Sequence, residues 1–358
     1  MPSSLDRLPV ELLHLIIKNV RPAEALTRLS CTNRRLRTIC IPYIFDTVKV
    51  TFSKAGFERL EKVSQSFVGR HVRVLCYEAP ELIDPNVESF DYFCTSVYTP
   101  SEYIRDLRDL YWNPDKNRVS YQAVHSYFAG LACEQQELLA NYEDLRALKE
   151  SLPRLRRLGT IRINFVDSTT APFRWFSNRV FVDWKDSFPL HLEAISEAMI
   201  AARNFGVSVH SFSISGFYSE IPASSVVVSE KVKRALRDLR HLHVIDSPSF
   251  LKFISAIRLP ALHRLELERC CVQATDLERF ICDHAHTLRF LHLEDVWLPV
   301  ERRHEWGISL YTSVTKTSVA HINNIRRLGI LRELTINKAG SESFEHQEFL
   351  QNFEAIQI

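Results

Sequence analysis

Glycine is scarce in this chain, with 9 in 358 residues, where soluble globular proteins usually carry about 7%. No two glycines stand at the spacing G-x-G, and G-x-x-x-x-G-K-[ST] does not occur. Both motifs let backbone N–H groups approach a phosphate closely, so their absence argues against the common nucleotide-dependent enzymes. The eight cysteines, at 31, 40, 76, 94, 133, 270, 271 and 282, form no C-x-x-C pair. They predict reduced and mostly buried thiols rather than a disulfide framework. No N-x-[ST] sequon occurs, and residues 1–7 have no basic segment leading into an apolar run. No apolar run approaches the ~18 residues that suggest a membrane span. The expectation is a protein of the cytoplasm or nucleus, with no membrane partner. Charge of one sign is also lacking: 45 Lys+Arg face 43 Asp+Glu, a net of +2. That balance does not supply the electrostatic footprint of a dedicated nucleic-acid binder.

Apolar residues are present in ordinary measure, 46% of the chain, enough for a sizeable core. The first fifty residues predict three short helices. Pro9 opens the first, Val10 to Val20, before Arg21-Pro22 stops it. On a helical projection Leu12, Leu13, Leu15, Ile16, Ile17 and Val20 spread over roughly 200°, about twice the stripe that one core requires. This helix therefore calls for two apolar neighbours. Ala23 to Ser30 presents Leu26 and Leu29, and Asn33 to Cys40 presents Leu36 and Ile39. Three short helices cannot bury all of that surface alone, so a partner surface is implied. The arginines at 34, 35 and 37 could open a recognition helix. Residues 1–50 carry a net of only +4 (eight basic, four acidic), and a solvated helix face accounts for them.

Leu8-Pro9-x-Glu11-Leu12-Leu13-x-x-Ile16, then Arg21-Pro22-x-x-x-Leu26-x-x-Leu29-Ser30 and Asn33-Arg34-Arg35-Leu36-Arg37, resembles an F-box. The chain as a whole is similar to fungal F-box proteins. The resemblance implies docking on the Skp-type adaptor of a cullin-RING ubiquitin ligase. Leu8, Pro9, Leu12, Ile16, Leu26 and Leu29 occupy the matching contact positions.

Beyond residue 45 the pattern L-x-x-L-x-L recurs, starting at Leu158, Val209, Leu239, Leu262, Leu288 and Leu331, with weaker forms at Phe45 and Val72. Such alternation marks half-buried strands. The starts at 209, 239, 262 and 288 are 30, 23 and 26 residues apart, near the 20–29 of leucine-rich repeats. Helices are predicted between them, capped by Ser229, by Ser247 before Pro248, and by the box Thr275-x-x-Glu278. Strand–helix repetition at this period predicts an irregular leucine-rich-repeat-like solenoid, with parallel strands concave and helices convex. An ordinary α/β domain with several parallel strands is the alternative. The predicted organisation is α/β: a three-helix F-box at 1–45, a repeat-like domain at 46–338 and a tail at 339–358. Insertions fall at about 78–157 and 166–205. The first predicts an aromatic loop (Phe90, Tyr92, Phe93, Tyr98), then helices near 101–111, 120–132 and 134–151. The second carries Phe173, Trp175, Phe176, Phe181, Trp184 and Phe188; rings at that density predict either a local core or a partner-binding surface.

Little chemistry is predicted. Cys282-x-His284-x-His286 has residue types that zinc prefers, but 200° steps along a helix send the three side chains to different faces. The expectation is a buried Cys282, histidines facing solvent and no metal. No G-x-S-x-G or H-E-x-x-H occurs, so neither catalytic residues nor a cofactor is expected, and the chain is not expected to be an enzyme. The x positions of the repeat should line the concave face. Their first column, Gly159, His210, Arg240, His263, Arg289 and Arg332, is mostly basic, with Glu266, Glu268, Glu294 and Glu333 nearby. Arg240, Arg264 and Arg289 are the candidate residues for gripping an unknown target protein, such as a phosphorylated segment. The predicted function is substrate recognition in a Skp-cullin-F-box ubiquitin ligase; the alternative is a non-degradative repeat scaffold.

Overall fold

A computed structural model describes residues 8–20, 23–109, 119–166, 169, 173, 176, 184–218, 226–255, 257–296, 300–303, 309–312, 333–337 and 356–357. Three helices come first: α1 (Val10–Asn19), α2 (Ala23–Ser30) and α3 (Arg34–Ile44). Asn33 caps α3 by accepting the Leu36 N–H at 2.8 Å. This helix runs past the predicted end at Cys40 and holds Pro42 in its last turn. Near a helix end a proline removes one backbone bond without breaking the rod. Leu13, Ile17, Leu26, Leu36, Ile39 and Cys40 form a small buried core, with Leu8, Val20, Leu29, Tyr43 and Ile44 packed around it.

The remainder is built on one sheet. In chain order come β1 (Thr47–Thr51), α4 (Lys54–Gln65), β2 (Val74–Ala79), α5 (Phe90–Tyr92), α6 (Pro100–Asp109), α7 (Tyr121–Ala140), α8 (Glu143–Ser151), β3 (Thr160–Phe165) and α9 (Trp184–Asn204). There follow β4 (Ser211–Ser215), α10 (Val226–Ala235), β5 (His241–Ile245), α11 (Pro248–Ile254), β6 (Arg264–Glu268), α12 (Ala274–Asp283) and β7 (Phe290–Glu294). Last are β8 (Val300–Arg303), β9 (Ser309–Thr312), β10 (Glu333–Asn337) and β11 (Ile356–Gln357). Strands β1 to β7 lie side by side in chain order, and each pair is parallel. β10 adds in parallel to β7, β11 closes on β10 in antiparallel fashion, and β8 pairs with β9 in a separate two-stranded sheet.

The two apolar positions of the recurring L-x-L fall in register across the sheet. Val48, Leu75, Ile161, Phe212, Leu242, Leu265 and Leu291 make one buried row. Val50, Tyr77, Ile163, Ile214, Val244, Leu267 and Leu293 make the next. A one-residue slip anywhere would turn a whole strand's apolar set to the other face, so the repeat itself locks the register. The connecting helices cover this face with Val232, Ala235, Leu236, Phe250, Leu251, Ile254, Leu277, Phe280 and Ile281.

Helix starts differ from the expected caps. α12 begins after Gln273 rather than at Thr275, and Ser229 lies inside α10. Ser247 does precede α11, but its hydroxyl accepts from Phe217 N–H at 2.8 Å and donates to Ile245 O at 2.7 Å. Adjacent strand ends therefore compete successfully for the group that would have capped the helix. The two helices expected over 120–151 break at Asn141–Tyr142 instead of near 133, because Tyr142 takes a left-handed φ of 51° and nothing at Cys133 interrupts α7. The inserted residues after β2 form a second core, in which Ile83, Val87, Phe93, Tyr98, Val124, Phe128 and Ala132 enclose Phe176 from the later insertion. Tyr127 and Phe173 stack at 4.0 Å. The rings that are described make a local core; Trp175 and Phe181 lie outside the described residues, as do 339–355 and 358 of the predicted tail. The thiols also differ from expectation: only Cys40 and Cys270 are buried, and Cys31, Cys133, Cys271 and Cys282 are exposed.

Candidate binding surfaces

α1 divides its apolar residues between two directions. Leu13 and Ile17, one turn apart, are 0% and 1% exposed inside the three-helix core. Val10, Leu12, Leu15 and Ile16 face outward at 42%, 46%, 60% and 39%. That is the division expected of a 200° apolar arc that one core can only half cover. Pro9, which precedes the helix, is exposed as well. The other three predicted contact positions are placed differently: Leu26 is buried, and Leu8 and Leu29 pack partly buried against the same core. They brace the surface from within. The Arg35 guanidinium donates to Leu8 O at 2.8 Å and His14 Nδ1 meets the Tyr43 hydroxyl at 3.0 Å, tying the start and the middle of α1 to α3. Val10 and Leu15 were missing from the predicted contact set. Leu15 was legible as a member of the 200° arc, whereas Val10 falls outside it and is exposed as the first residue of the helix.

The second surface is the face of the sheet opposite the helices. Its rows read Thr47, Val74, Thr160, Ser211, His241, Arg264, Phe290; then Lys49, Cys76, Arg162, Ser213, His243, Glu266, His292; then Thr51, Glu78, Asn164, Ser215, Ile245, Glu268, Glu294. Over β5 to β7 it is a lattice of imidazoles and carboxylates. His241 Nε2 lies 3.3 Å from Glu266, His243 lies 3.8 Å from Glu266 and 3.5 Å from Glu268, and His292 lies 3.3 Å from Glu294. Burial holds the His243 imidazole below its usual range despite both carboxylates. Burial pushes Glu266 upward, but Arg264, His241 and His243 together outweigh it and leave the carboxyl below the usual range. Sequence reasoning counted Glu266, Glu268 and Glu294 only as neighbours of the arginine column and missed His241, His243 and His292; their signal was every second position of β5 to β7.

The structure does not bring Arg240, Arg264 and Arg289 into one row. Arg240 and Arg289 stand one residue before β5 and β7, where Arg240 O receives the His263 and Arg264 N–H groups and Arg289 N–H donates to His263 O. Arg264 lies one position further on, opposite His241 and Phe290, and pairs with Glu266. Side chains alternate along a strand, so that single step separates it from the other two. Arg289 is also engaged internally, donating to Ala285 O at 3.0 Å, Leu288 O at 2.8 Å and His286 O at 2.7 Å. Arg240 and Arg264 are exposed.

No group of side chains able to hold a metal ion is found among the described residues. Two of the three positions around Cys282 differ from expectation: His286 is exposed, but Cys282 is exposed as well, and His284 is 3% exposed, donates from Nδ1 to Phe280 O at 2.7 Å and accepts the Leu259 N–H on Nε2 at 2.9 Å. Both ring nitrogens serve to join the end of α12 to the turn before β6. No helix among the described residues is long and apolar enough to cross a membrane.

The F-box domain family matches residues 5–43 of the chain, the segment that holds α1 to α3. No curated protein matches it significantly. Among solved structures, a GH10 endoxylanase retrieved from a sugarcane soil metagenome aligns over 86% of this chain and 90% of its own, at 10% identity and a TM-score of 0.21. Likeness that weak carries no argument about fold or activity.

Proposed function

We propose that the chain is the substrate-recognition subunit of a Skp-cullin-F-box ubiquitin ligase, acting in the cytoplasm or nucleus. The observation that carries this reading is the outward stripe of Leu12, Leu15 and Ile16 on α1, with Val10 exposed at the helix start, inside a segment that matches the F-box. F-box domains bind Skp-type adaptors, and an amphipathic helix laid in an apolar groove is a recurrent mode of recognition. Leu12, Ile16 and Pro9 make the direct contact together with Val10 and Leu15, while Leu8, Leu26 and Leu29 hold α1 in place. The cullin is reached through the adaptor.

The sheet domain is read as an irregular leucine-rich-repeat-like solenoid of the kind that follows fungal F-boxes. Its chain-order parallel strands support that reading, and its open face is the surface for a target protein. The chain then catalyses nothing itself. It raises the local concentration of a target near a conjugating enzyme, which turns a bimolecular encounter into a local one.

The test is the pair Leu12→Asp, Ile16→Asp in the full-length protein. Both side chains are already solvated, so the melting temperature should hold within a degree or so while adaptor co-purification is lost. Undiminished capture of the adaptor by a folded double variant would refute the proposal.

A further inference from the structure

Between α3 and the 3-10 turn Phe67–His71 lies an open cleft of about 600 Å³. Three arginines line it, Arg34, Arg37 and Arg70, and no aspartate or glutamate does. Among the described residues none of the three makes an ion pair, although Arg73, Arg203 and Arg264 do. Like charges gathered without a counter-charge repel one another, so the arrangement favours an anion between them.

His71 also lines the cleft and adds no negative charge to it. Arg70 Nε donates to His71 Nε2 at 3.2 Å, which leaves the proton of the neutral ring on Nδ1. That Nδ1 is buried and has no hydrogen-bond partner. Burial, with Arg70 and Arg157 nearby, holds the imidazole below its usual range and so keeps it neutral. The cleft is thus lined by three guanidinium groups with no acidic counter-charge among its lining residues. On its apolar side are Ile41 and Phe67, the latter 64% exposed.

We propose that this cleft binds a phosphorylated side chain carried on a peptide segment of a partner protein. A phosphate monoester has enough oxygens to take forked donors from several guanidinium groups at once, which a single carboxylate does not. The exposed Phe67 ring and Ile41 give the flanking peptide an apolar wall, which a free phosphate ion would leave unused. The site uses α3 and Phe67–His71 and none of the outward residues of α1, so it stands or falls separately from adaptor docking.

The experiment uses full-length protein and a degenerate peptide library with a central phosphothreonine, beside the same library with threonine. The phosphorylated library should be retained and the other not, with retention falling steeply as salt rises. Arg34→Gln with Arg70→Gln should lower retention by about tenfold or more while the melting curve and adaptor capture persist. Should that pair disturb folding, Phe67→Glu places a carboxylate in the same cleft from an exposed position and should have the same effect. Equal retention of both libraries, or full retention by the folded variants, overturns the proposal. Inorganic pyrophosphate binding as tightly as the phosphopeptides overturns the assignment to a peptide.

Discussion

His191 shows how much one residue can impose on the whole. It sits on α9, fully buried, with the Tyr77 hydroxyl 3.0 Å from Nδ1 and Pro80 O 3.0 Å from Nε2. Burial lowers its pKa to about 4, against 6.5 for the free side chain. The folded state therefore refuses a proton that the unfolded state accepts. The stability linked to this residue is complete above pH 6.5, falls as the unfolded chain protonates, and levels off below about pH 4. A shift of this size amounts to about 3 kcal/mol. Urea unfolding should show stability falling between pH 7 and pH 4.5 by about 2 to 3 kcal/mol less in His191→Gln than in the parent. Identical falls in both would mean that the ring is hydrated and titrates normally. The same alternation of inside and outside governs α1: Leu13 and Ile17 are structural, and the neighbouring Leu12 and Ile16 are available to a partner.

The strands are joined at their C-terminal ends by a recurring turn. Gly216, Asp246, Arg269 and Asp295 each follow a strand and each take a positive φ, of 73°, 46°, 50° and 56°. The last three lie in the left-handed region, which aspartate tolerates at 246 and 295 and which Arg269 adopts without that advantage; Asp246 and Arg269 donate their N–H groups to Glu268 O and Glu294 O at 2.8 Å. Gly216 has an additional reason to be glycine, because a Cβ there would lie 2.6 Å from Phe165 O. Gly216→Ala should destabilise by about 1 to 3 kcal/mol in urea unfolding, since strain and a backbone clash act together. Gly206→Ala, at a φ of 83° where an added Cβ meets nothing within 4 Å, should cost less, and equal effects of the two changes would remove the close-approach argument. Helices are fixed to one another by charge as well: Lys231 of α10 pairs with Glu193 and Glu197 of α9, and Arg203 of α9 donates to the final carbonyls of α10, Arg234 O and Ala235 O, at 2.6 Å.

At the scale of the molecule, two surfaces lie on separate parts of one chain: the apolar stripe of α1 and the histidine–glutamate lattice over β5 to β7. Substitutions at sites without shared partners act nearly independently. His243→Ala with Glu266→Ala should therefore remove one or more partners from a proteomic pull-down while leaving the adaptor and cullin in place. Partner lists identical to the parent's would move attention from the open face to other parts of the domain. In a reconstituted ligase the partners lost in that comparison should acquire ubiquitin chains when bound to the parent protein. Captured partners that remain unmodified would favour the non-degradative scaffold.

The sequence by itself determined the division into a helical module and a sheet domain, the positions of most strands and the inward residues of the helices between them. Those features repeat locally, at the period of a helix or a strand, and burial follows the period. Even the weak forms at Phe45 and Val72 became full strands, because their alternation matched that of their neighbours. What the tertiary structure decided depends on register and on competition between partners. A single position separates Arg264 from Arg240 and Arg289, and Ser247 turned to its neighbouring strands instead of capping α11. The cleft beside α3 joins residues more than thirty positions apart, so no periodicity could announce it: Arg34 and Arg37 read as a solvated helix face until Arg70 and His71 came to lie against them.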